Sequence, residues 1–474
     1  MSQEASSKIG VGESGATTTR LSVRGLAGIL VNWLRSDLFL RTASGPVGRR
    51  KVLLAVAGVA VAAAISLSRT VGPGSLNTIW IEDAKFLLNG ALNQSVWQTL
   101  TTPISSYYQL PARVFTQIAV QFPLSWAPGV MALFAALQYA MYGLVAYIAS
   151  GPHLRSPWLR LLIAAPVCAI PLAYTQVNND LVTVQFFGLY GAFWTLLWIP
   201  GTRAGRILSP VVMMTVSWTA VLSVVFAPLV AARLIADRSR NSWCVAILWA
   251  AGVLLQFSQT LLGRSHNHLS YYNGPFFVLR NYLTRVMPRA LFGERSLGGA
   301  GADYRGYYAS LHILNAAAHH ALMIGAWVIV LVIVGLAVAR FTDPNWTLAA
   351  VAAVFSLAIF GDEVLVNTPV IQPRYVVAPA MLLYTALVAL MRPRRQEGTS
   401  LVSAALRWLP VAGFAALLLV AVTLNFRVTN GRTTSPAWTS VVAVASKTCA
   451  MPGVTAYSFV HEWWYVTIPC SKVG

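Results

Sequence analysis

Long apolar runs recur along the chain and constrain its fold more than any other feature. A membrane-spanning helix needs about 20 apolar residues, and runs of roughly this length alternate with Pro, Gly and charged residues. The run from Ile207 to Ala236 is too long for one helix and predicts two, with a turn near Ser217. The other runs start near Val52, Ala127, Leu161, Val182, Ser242, Ala321, Trp346, Tyr375 and Trp408. The pattern predicts an all-α polytopic membrane protein with about eleven transmembrane helices.

The composition agrees with a chain that lies mostly in lipid. Hydrophobic residues make up 57% of the sequence and charged residues only 10%, whereas a soluble domain has about 25% charged residues. The 34 Lys and Arg residues outnumber the 14 Asp and Glu residues. Because these basic residues flank apolar runs, they indicate membrane topology and attraction to anionic lipids. We therefore expect no nucleic acid partner.

The basic residues also predict an orientation. Short cytoplasmic connections are enriched in Lys and Arg, and here every second connection is basic. The first 50 residues are then a disordered, basic cytoplasmic segment, and the C-terminus lies outside the inner (plasma) membrane. The basic positions are Arg49, Arg50, Lys51, Arg155, Arg160, Arg203, Arg206, Arg233, Arg238, Arg240, Arg340, Arg392, Arg394 and Arg395.

Three long segments are predicted on the outer face. Two of them, at about 69–126 and 263–320, lie within a transmembrane domain that covers 51–424. The third is a small tail, 425–474, which contains Cys449 and Cys470. Both cysteines would face an oxidising compartment, so we predict a disulfide that closes a small lid.

The first outer segment begins with adjacent acids, Glu82 and Asp83, in an aromatic and sparsely charged context that includes Arg113. Carboxylates at a membrane surface are costly unless they have a role. Either acid could act as a general base on an acceptor hydroxyl group, or hold a divalent cation such as Mg²⁺ or Mn²⁺. The alternative is an ordinary solvated acidic turn.

Further polar residues are predicted at the same outer rim. Asn179 and Asp180 lie in the next tight outer connection and could orient a substrate or a cation, or could simply cap a helix. Arg374 and Tyr375 open the tenth span. Arg374 could bind phosphate with its guanidinium group, or could pair with Asp362 or Glu363.

Two histidines, His266 and His268, begin the second long outer segment. Two histidines at this spacing could coordinate a metal ion. No third ligand lies nearby in the sequence, so zinc is not expected. We interpret them as residues that contact substrate or lie at the membrane interface.

Several signatures are missing from the sequence. It has no Gly-rich phosphate loop, no HExxH motif and no nucleophile elbow, which argues against ATP hydrolysis. Charged residues are scarce inside the predicted spans, whereas a coupled transporter usually has some near the middle of the membrane. The acids instead collect at the outer rim, which favours chemistry at that surface.

This layout resembles the GT-C superfamily of integral membrane glycosyltransferases. The resemblance lies in the first helix with its N-terminus inside, the acidic pair that opens the first outer loop, the acid in the next outer loop and the late Arg-Tyr pair. It implies a polyprenyl-phosphate sugar donor that is used on the outer face. It further implies that Glu82 or Asp83 is the first-loop acid, Asp180 the second-loop acid and Arg374 the phosphate-binding residue.

The resulting functional hypothesis is a membrane glycosyltransferase. It would transfer a sugar from the polyprenyl-phosphate carrier to an envelope glycan, lipid or protein. Two alternatives stay open at this point. One is a transporter or flippase of lipid-linked envelope precursors, and the other is a non-catalytic subunit of an envelope-assembly complex.

Overall fold

A computed structural model describes residues 23–104, 107–172, 178–262, 274–294, 316–366, 372–394, 401–427, 431–461 and 464–473. The described residues are mostly helical, with one two-stranded sheet among them. The α-helices are Val23–Trp33, Arg49–Leu67, Asn89–Asn93, Val96–Thr101, Leu110–Ala119, Ala127–Ala149, Gly151–Leu154, Pro157–Ala164, Pro166–Ala169, Val184–Leu197, Arg203–Ser217, Ala227–Ala236, Arg240–Leu261, Pro275–Asn281, Met287–Phe292, Ala316–Val338, Trp346–Val366, Val377–Leu390, Leu401–Leu424, Gly431–Thr434 and Trp438–Cys449. Shorter π- and 3-10 segments are Leu34–Leu38, Asp83–Leu88, Leu124–Trp126, Val221–Phe226, Tyr282–Val286, Pro373–Val376 and Cys470–Lys472.

Among the described residues, seven helices are long and apolar enough to cross a membrane. They are Arg49–Leu67, Leu124–Ala149, Arg240–Ser258, His320–Val338, Trp346–Leu365, Pro373–Leu390 and Ala405–Leu424. Three shorter apolar helices are Pro157–Ala169, Val184–Leu197 and Val221–Ala236. The protein is therefore a polytopic, helical membrane protein. The count of about eleven passes and their orientation stay predictions.

The break predicted near Ser217 is confirmed, because one helix ends at this residue. The Ser217 hydroxyl donates hydrogen bonds to the Met213 carbonyl at 2.9 Å and, across the helix interface, to the Leu248 carbonyl at 3.2 Å. Gly252 on the facing helix permits this approach, since a Cβ there would lie 2.7 Å from the backbone carbon of Ser217. The long apolar run therefore folds as separate short helices.

Two helices form the centre of the molecule. Every residue of Val184–Leu197 and of Val377–Leu390 is buried, as expected of helices surrounded by other helices. The Tyr190 hydroxyl lies 3.1 Å from the Thr385 hydroxyl and donates to the Ile163 carbonyl at 3.0 Å. The central pair is thus fixed by polar contacts as well as by apolar packing.

The outer helices expose apolar side chains. Leu54 on the first long helix and Val338 on the Ala316–Val338 helix are both more than half exposed. Large exposed apolar faces mark surfaces that contact lipid or another protein. On long apolar helices, this exposure agrees with contact to the hydrocarbon interior of a membrane.

The tail forms a helix followed by a β-hairpin. Strand Ala456–His461 pairs antiparallel with Trp464–Pro469, in the register that places Ala456 opposite Pro469. Trp464, Val466 and Ile468 are buried because alternate residues of a strand face the same side. A disulfide joins Cys449 and Cys470, the two cysteines for which the sequence predicts a bond.

The tail packs on the segment that follows the first long helix. The Thr467 N–H donates to the Asn89 side-chain oxygen at 2.9 Å, and the Asn93 amide donates to the Thr467 carbonyl at 2.7 Å. The Trp438 indole N–H donates to the Leu124 carbonyl at 2.8 Å. These contacts connect the tail to the segment that contains Glu82 and Asp83.

Candidate functional site

Asp83 is buried and binds the backbone before a central helix. The N–H groups of Leu181 and Val182 donate to its two carboxylate oxygens at 2.9 and 3.0 Å. Burial raises the pKa of Asp83 to about 6, although these two hydrogen bonds act in the opposite direction. Asp83 therefore fixes the entry to the Val184–Leu197 helix and is only 3% exposed.

Asp180 forms a buried ion pair with Arg432, at 2.7 Å between Oδ1 and Nη1. The Arg432 guanidinium also donates to the carbonyl oxygens of Asn178, Asn179, Ser75 and Thr78 and to the Thr78 hydroxyl. Burial raises the pKa of Asp180 above its usual value, and Arg432 opposes this shift. Arg432 thus connects the tail to the loops that contain Asp180 and Thr78.

Asn179 supports the same junction from a left-handed backbone conformation, with φ of +60°, which Asn tolerates better than most residues. Its side-chain amide donates to the Ser66 carbonyl at 2.9 Å and to the Ser75 hydroxyl at 3.1 Å. The Ser66 hydroxyl donates back to the Asn179 side-chain oxygen at 2.7 Å. Asn179 therefore ties the end of the first long helix to the loop before the Val184–Leu197 helix.

Glu82 differs from its neighbour Asp83 because it faces a partly open region. One of its carboxylate oxygens lies 3.4 Å from Nη1 of Arg374, and both side chains are 21% exposed. The other oxygen, Oε2, has no hydrogen-bond partner within the described residues. The sequence separates Glu82 and Arg374 by 292 positions, so only the fold brings this acid and this cation together.

Aromatic rings surround the Arg374 guanidinium. Its central carbon lies 5.6 Å from the ring centre of Tyr375 and 6.0 Å from that of Phe186. Cations within about 6 Å of an aromatic ring centre are attracted to the ring face. Tyr375 itself is 8% exposed and packs near Phe186. These contacts hold Arg374 in place beside Glu82.

Tyr107 also belongs to the polar region near Arg374. Burial raises its pKa above the usual value, and a hydrogen bond with Gln185 opposes the shift. The Arg374 charge lowers this pKa and the Glu363 charge raises it, so both groups lie within electrostatic reach of the phenol. Tyr107 also lies beside Gln109, which begins the helix that contains Arg113.

The structure therefore divides the predicted site residues into groups. Glu82, Arg374 and Tyr375 come together at the partly open region, whereas Asp83, Asn179 and Asp180 lie in the buried junction next to it. Arg113 lies on the Leu110–Ala119 helix and is buried. His266 and His268 lie outside the described residues.

Arg432 is the main site residue that the sequence does not indicate. It lies in the tail, 252 positions after Asp180, and no motif connects the two. The only signal is its charge, in a tail of about fifty residues with few charged positions.

The acids in this region are already engaged by hydrogen-bond donors or cations. Both oxygens of Asp83 accept backbone N–H groups, and Asp180 and Glu82 each face a guanidinium group. In the part of the chain that the structure describes, no group of three or more His, Cys, Asp or Glu side chains could hold a metal ion. Mg²⁺ or Mn²⁺ binding stays a prediction from the sequence.

Comparisons with known proteins do not supply a family. No family model matches the chain, and no curated protein matches it.

Proposed function

We propose that the protein is a membrane glycosyltransferase that moves a sugar from a polyprenyl-phosphate donor to a hydroxyl group of a cell-envelope glycan, lipid or protein. The observation that carries this proposal is the pair formed by Glu82 and Arg374. A carboxylate that can accept a proton and a guanidinium group that can bind phosphate lie side by side in a partly open polar region.

The hydrogen bonds favour Glu82 over Asp83 as the base. Both oxygens of Asp83 are occupied by backbone N–H groups, and Asp180 is held by Arg432. One oxygen of Glu82 has no partner among the described residues. A general base must come within hydrogen-bond distance of the proton that it removes. Oε2 of Glu82 is buried, so the side chain would have to move when substrate binds, but this oxygen has no protein hydrogen bond to lose.

The proposed reaction is a direct displacement at the sugar. The acceptor oxygen attacks the anomeric carbon while the bond from that carbon to the phosphate oxygen breaks. The electron pair of the broken bond leaves with the polyprenyl phosphate, whose charge Arg374 stabilises. Glu82 receives the proton of the acceptor hydroxyl group. Charge stabilisation of this kind is usually a large contribution to catalysis.

The contact between Glu82 and Arg374 suits an exchange of partners. Its 3.4 Å distance is longer than the 2.7–2.9 Å typical of charge-assisted hydrogen bonds and longer than the 2.7 Å contact between Arg432 and Asp180. A donor phosphate would compete with Glu82 for the guanidinium group. Donor binding would then release the carboxylate to act on the acceptor.

The proposal includes a location. The site would lie on the outer face of the inner (plasma) membrane, with the N-terminus inside, about eleven spans and the tail outside. Every second connection along the sequence is basic, which supports this orientation. Attraction of these basic residues to anionic lipids would stabilise it.

Sugar transfer from radiolabelled polyprenyl-phosphate sugars in membranes tests the proposal. Glu82→Gln should lower the transfer rate by about 100-fold or more, since general-base catalysis contributes about 10²–10⁴-fold. Arg374→Gln should lower it further than Arg374→Lys, because Lys keeps the charge but loses the planar donor geometry. Arg206→Gln, an exposed position, is the matched control.

Two results would reject the proposal in different ways. Transfer at the wild-type rate in both Glu82→Gln and Arg374→Gln would show that this pair has no catalytic role. Wild-type protein that transfers no sugar from any donor but moves lipid-linked sugars across vesicles would instead be a flippase.

A further inference from the structure

The Leu110–Ala119 helix has the reverse of the usual amphipathic arrangement. A helix on the surface of a soluble protein buries its apolar side and exposes its polar side. Here Val114 and Ile118 are 40% and 41% exposed, whereas Gln109 and Arg113 are 0% and 2% exposed. The helix therefore presents apolar side chains outward, as at a membrane interface, and polar side chains to the protein interior.

The inward polar residues share one side of this helix. Gln109, Arg113 and Gln117 follow one another at intervals of four residues, which places them above one another. Arg113 and Gln117 each have a buried atom without a hydrogen bond in the described part of the chain, Nε of Arg113 and Nε2 of Gln117. The Gln109 amide lies within hydrogen-bond reach of the Tyr107 hydroxyl. The unpaired atoms of Arg113 and Gln117 therefore define this polar side of the helix.

Such a set is costly to keep without a ligand. A buried charge is destabilising unless it is paired and hydrogen-bonded. Burial lowers the pKa of Arg113 to about 10, so its guanidinium remains charged at neutral pH. The ion pairs among the described residues do not include Arg113. An anionic oxygen from a bound molecule would remove this cost.

The set lies next to the proposed reaction centre. Gln109 neighbours Tyr107, which lies within electrostatic reach of Arg374. The Leu110–Ala119 helix also contacts the Asp83–Leu88 segment. A polyprenyl-phosphate sugar has one phosphate, which the proposed mechanism places on Arg374. If the donor phosphate binds Arg374, an anionic group bound at Arg113 would belong to the acceptor.

We infer that Gln109, Arg113 and Gln117 form a subsite for an anionic, hydroxyl-bearing group of the acceptor. Arg113 would bind two oxygens of a phosphate or carboxylate with its planar guanidinium group. The two amides can each donate to and accept from hydroxyl groups. This inference rests on the proposed function, because that function supplies the donor and the reaction that distinguish the two substrates.

Ligand-dependent thermal unfolding of the purified full-length protein in neutral detergent tests the subsite without turnover. All measurements use the Arg374→Gln background, so that the proposed donor phosphate site does not contribute. The probes are glucose 1-phosphate, glucuronate and uncharged glucose. Both anions should raise the unfolding midpoint in a saturable way, and glucose should not. Comparing the two anions shows whether phosphate or carboxylate is preferred.

Adding Arg113→Gln should weaken the apparent affinity for the preferred anion by about 10- to 100-fold, as expected when a hydrogen bond to a charged group is lost. Arg113→Lys keeps the charge without the planar geometry and should weaken it less. Gln109→Leu should also weaken binding, and it keeps the charge of Arg113. Arg206→Gln should leave the affinity unchanged. These variants separate loss of binding from loss of folding, which the ligand-free midpoint reports.

Two results overturn the inference. One is the absence of any anion effect on the midpoint, and the other is an equal effect with and without Arg113. Failure of the proposed function gives a different pattern. Anion binding that depends on Arg113, in a protein that transfers no sugar, keeps the subsite and rejects glycosyl transfer. Sugar transfer that depends on Glu82, together with anion binding that does not depend on Arg113, keeps glycosyl transfer and rejects the subsite.

Discussion

Replacing Arg432 with Gln should destabilise the protein by about 3–5 kcal/mol, the usual cost of removing one partner from a buried ion pair. Arg432 and Asp180 are 3% and 2% exposed as side chains, so water cannot replace the lost charge. The variant also leaves buried carbonyl oxygens without the donors that they now have, including those of Ser75 and Thr78. These effects place the expected cost at the upper end of the range.

Denaturant unfolding in detergent measures this cost, and a double-mutant cycle assigns it to the pair. Asp180→Asn alone should cost less than Arg432→Gln, since Arg432 would keep its carbonyl acceptors. The double variant should cost less than the sum of the single variants, by about 2 kcal/mol, because neither buried charge is then left alone. Arg206→Gln should change stability by less than about 0.5 kcal/mol.

The reasoning fails if Arg432→Gln costs no more than Arg206→Gln. It also fails if the double-mutant cycle gives simple additivity, since residues in direct contact should couple.

The other predictions concern separate features. For Asp83, the folded-state pKa of about 6 lies above the unfolded value, so its contribution to stability is greatest at low pH and is lost as the pH rises through 6. Between pH 5 and 7 the wild type should lose about 1.3 kcal/mol relative to Asp83→Asn, and parallel pH profiles would contradict this. Replacing both Cys449 and Cys470 with Ser opens a loop of 21 residues and should lower stability by about 3 kcal/mol; thermal unfolding that is unchanged by a reductant in the wild type would refute this. Gly252→Ala forces a Cβ against the Ser217 backbone and should cost about 1–3 kcal/mol, whereas Gly335→Ala, where a Cβ meets nothing within 4 Å, should be neutral in the same unfolding assay.

The helices could be predicted from the sequence because burial in lipid requires long apolar runs. Each predicted run contains helix in the described residues, including the two that flank the break at Ser217. The shorter and kinked helices are harder to predict. Pro166 separates Pro157–Ala164 from Pro166–Ala169, since proline lacks the N–H that a continuous helix would use.

The site could be predicted only in part, because adjacent residues of like charge have different surroundings. Glu82 and Asp83 are adjacent carboxylates whose roles the sequence alone does not separate, yet Asp83 binds a distant backbone and Glu82 faces Arg374. The sequence offered Asp362 and Glu363 as partners of Arg374, because they are close along the chain. Pairing with Glu82 depends on long-range packing that local patterns do not contain.

The orientation of the Leu110–Ala119 helix, with its polar side facing the protein interior, could not be predicted from the sequence either. An amphipathic helix in the sequence does not reveal which side faces the protein when the environment is lipid. The pattern of Gln109 and Arg113 alone would equally describe a helix with its polar side in water.

The junction at Arg432 has a consequence for the biogenesis of the protein. Arg432 donates to Thr78, which lies 354 residues earlier in the chain. At about 5–20 residues per second, a ribosome needs roughly 20–70 s to synthesise the intervening chain. During this time the loop that contains Thr78 lacks one of its supports, and Asp180, once synthesised, has no guanidinium partner from the tail. The polar site is therefore completed only after residue 432 has been synthesised, and a nascent chain that stalls before this residue would be inserted in the membrane without a finished site.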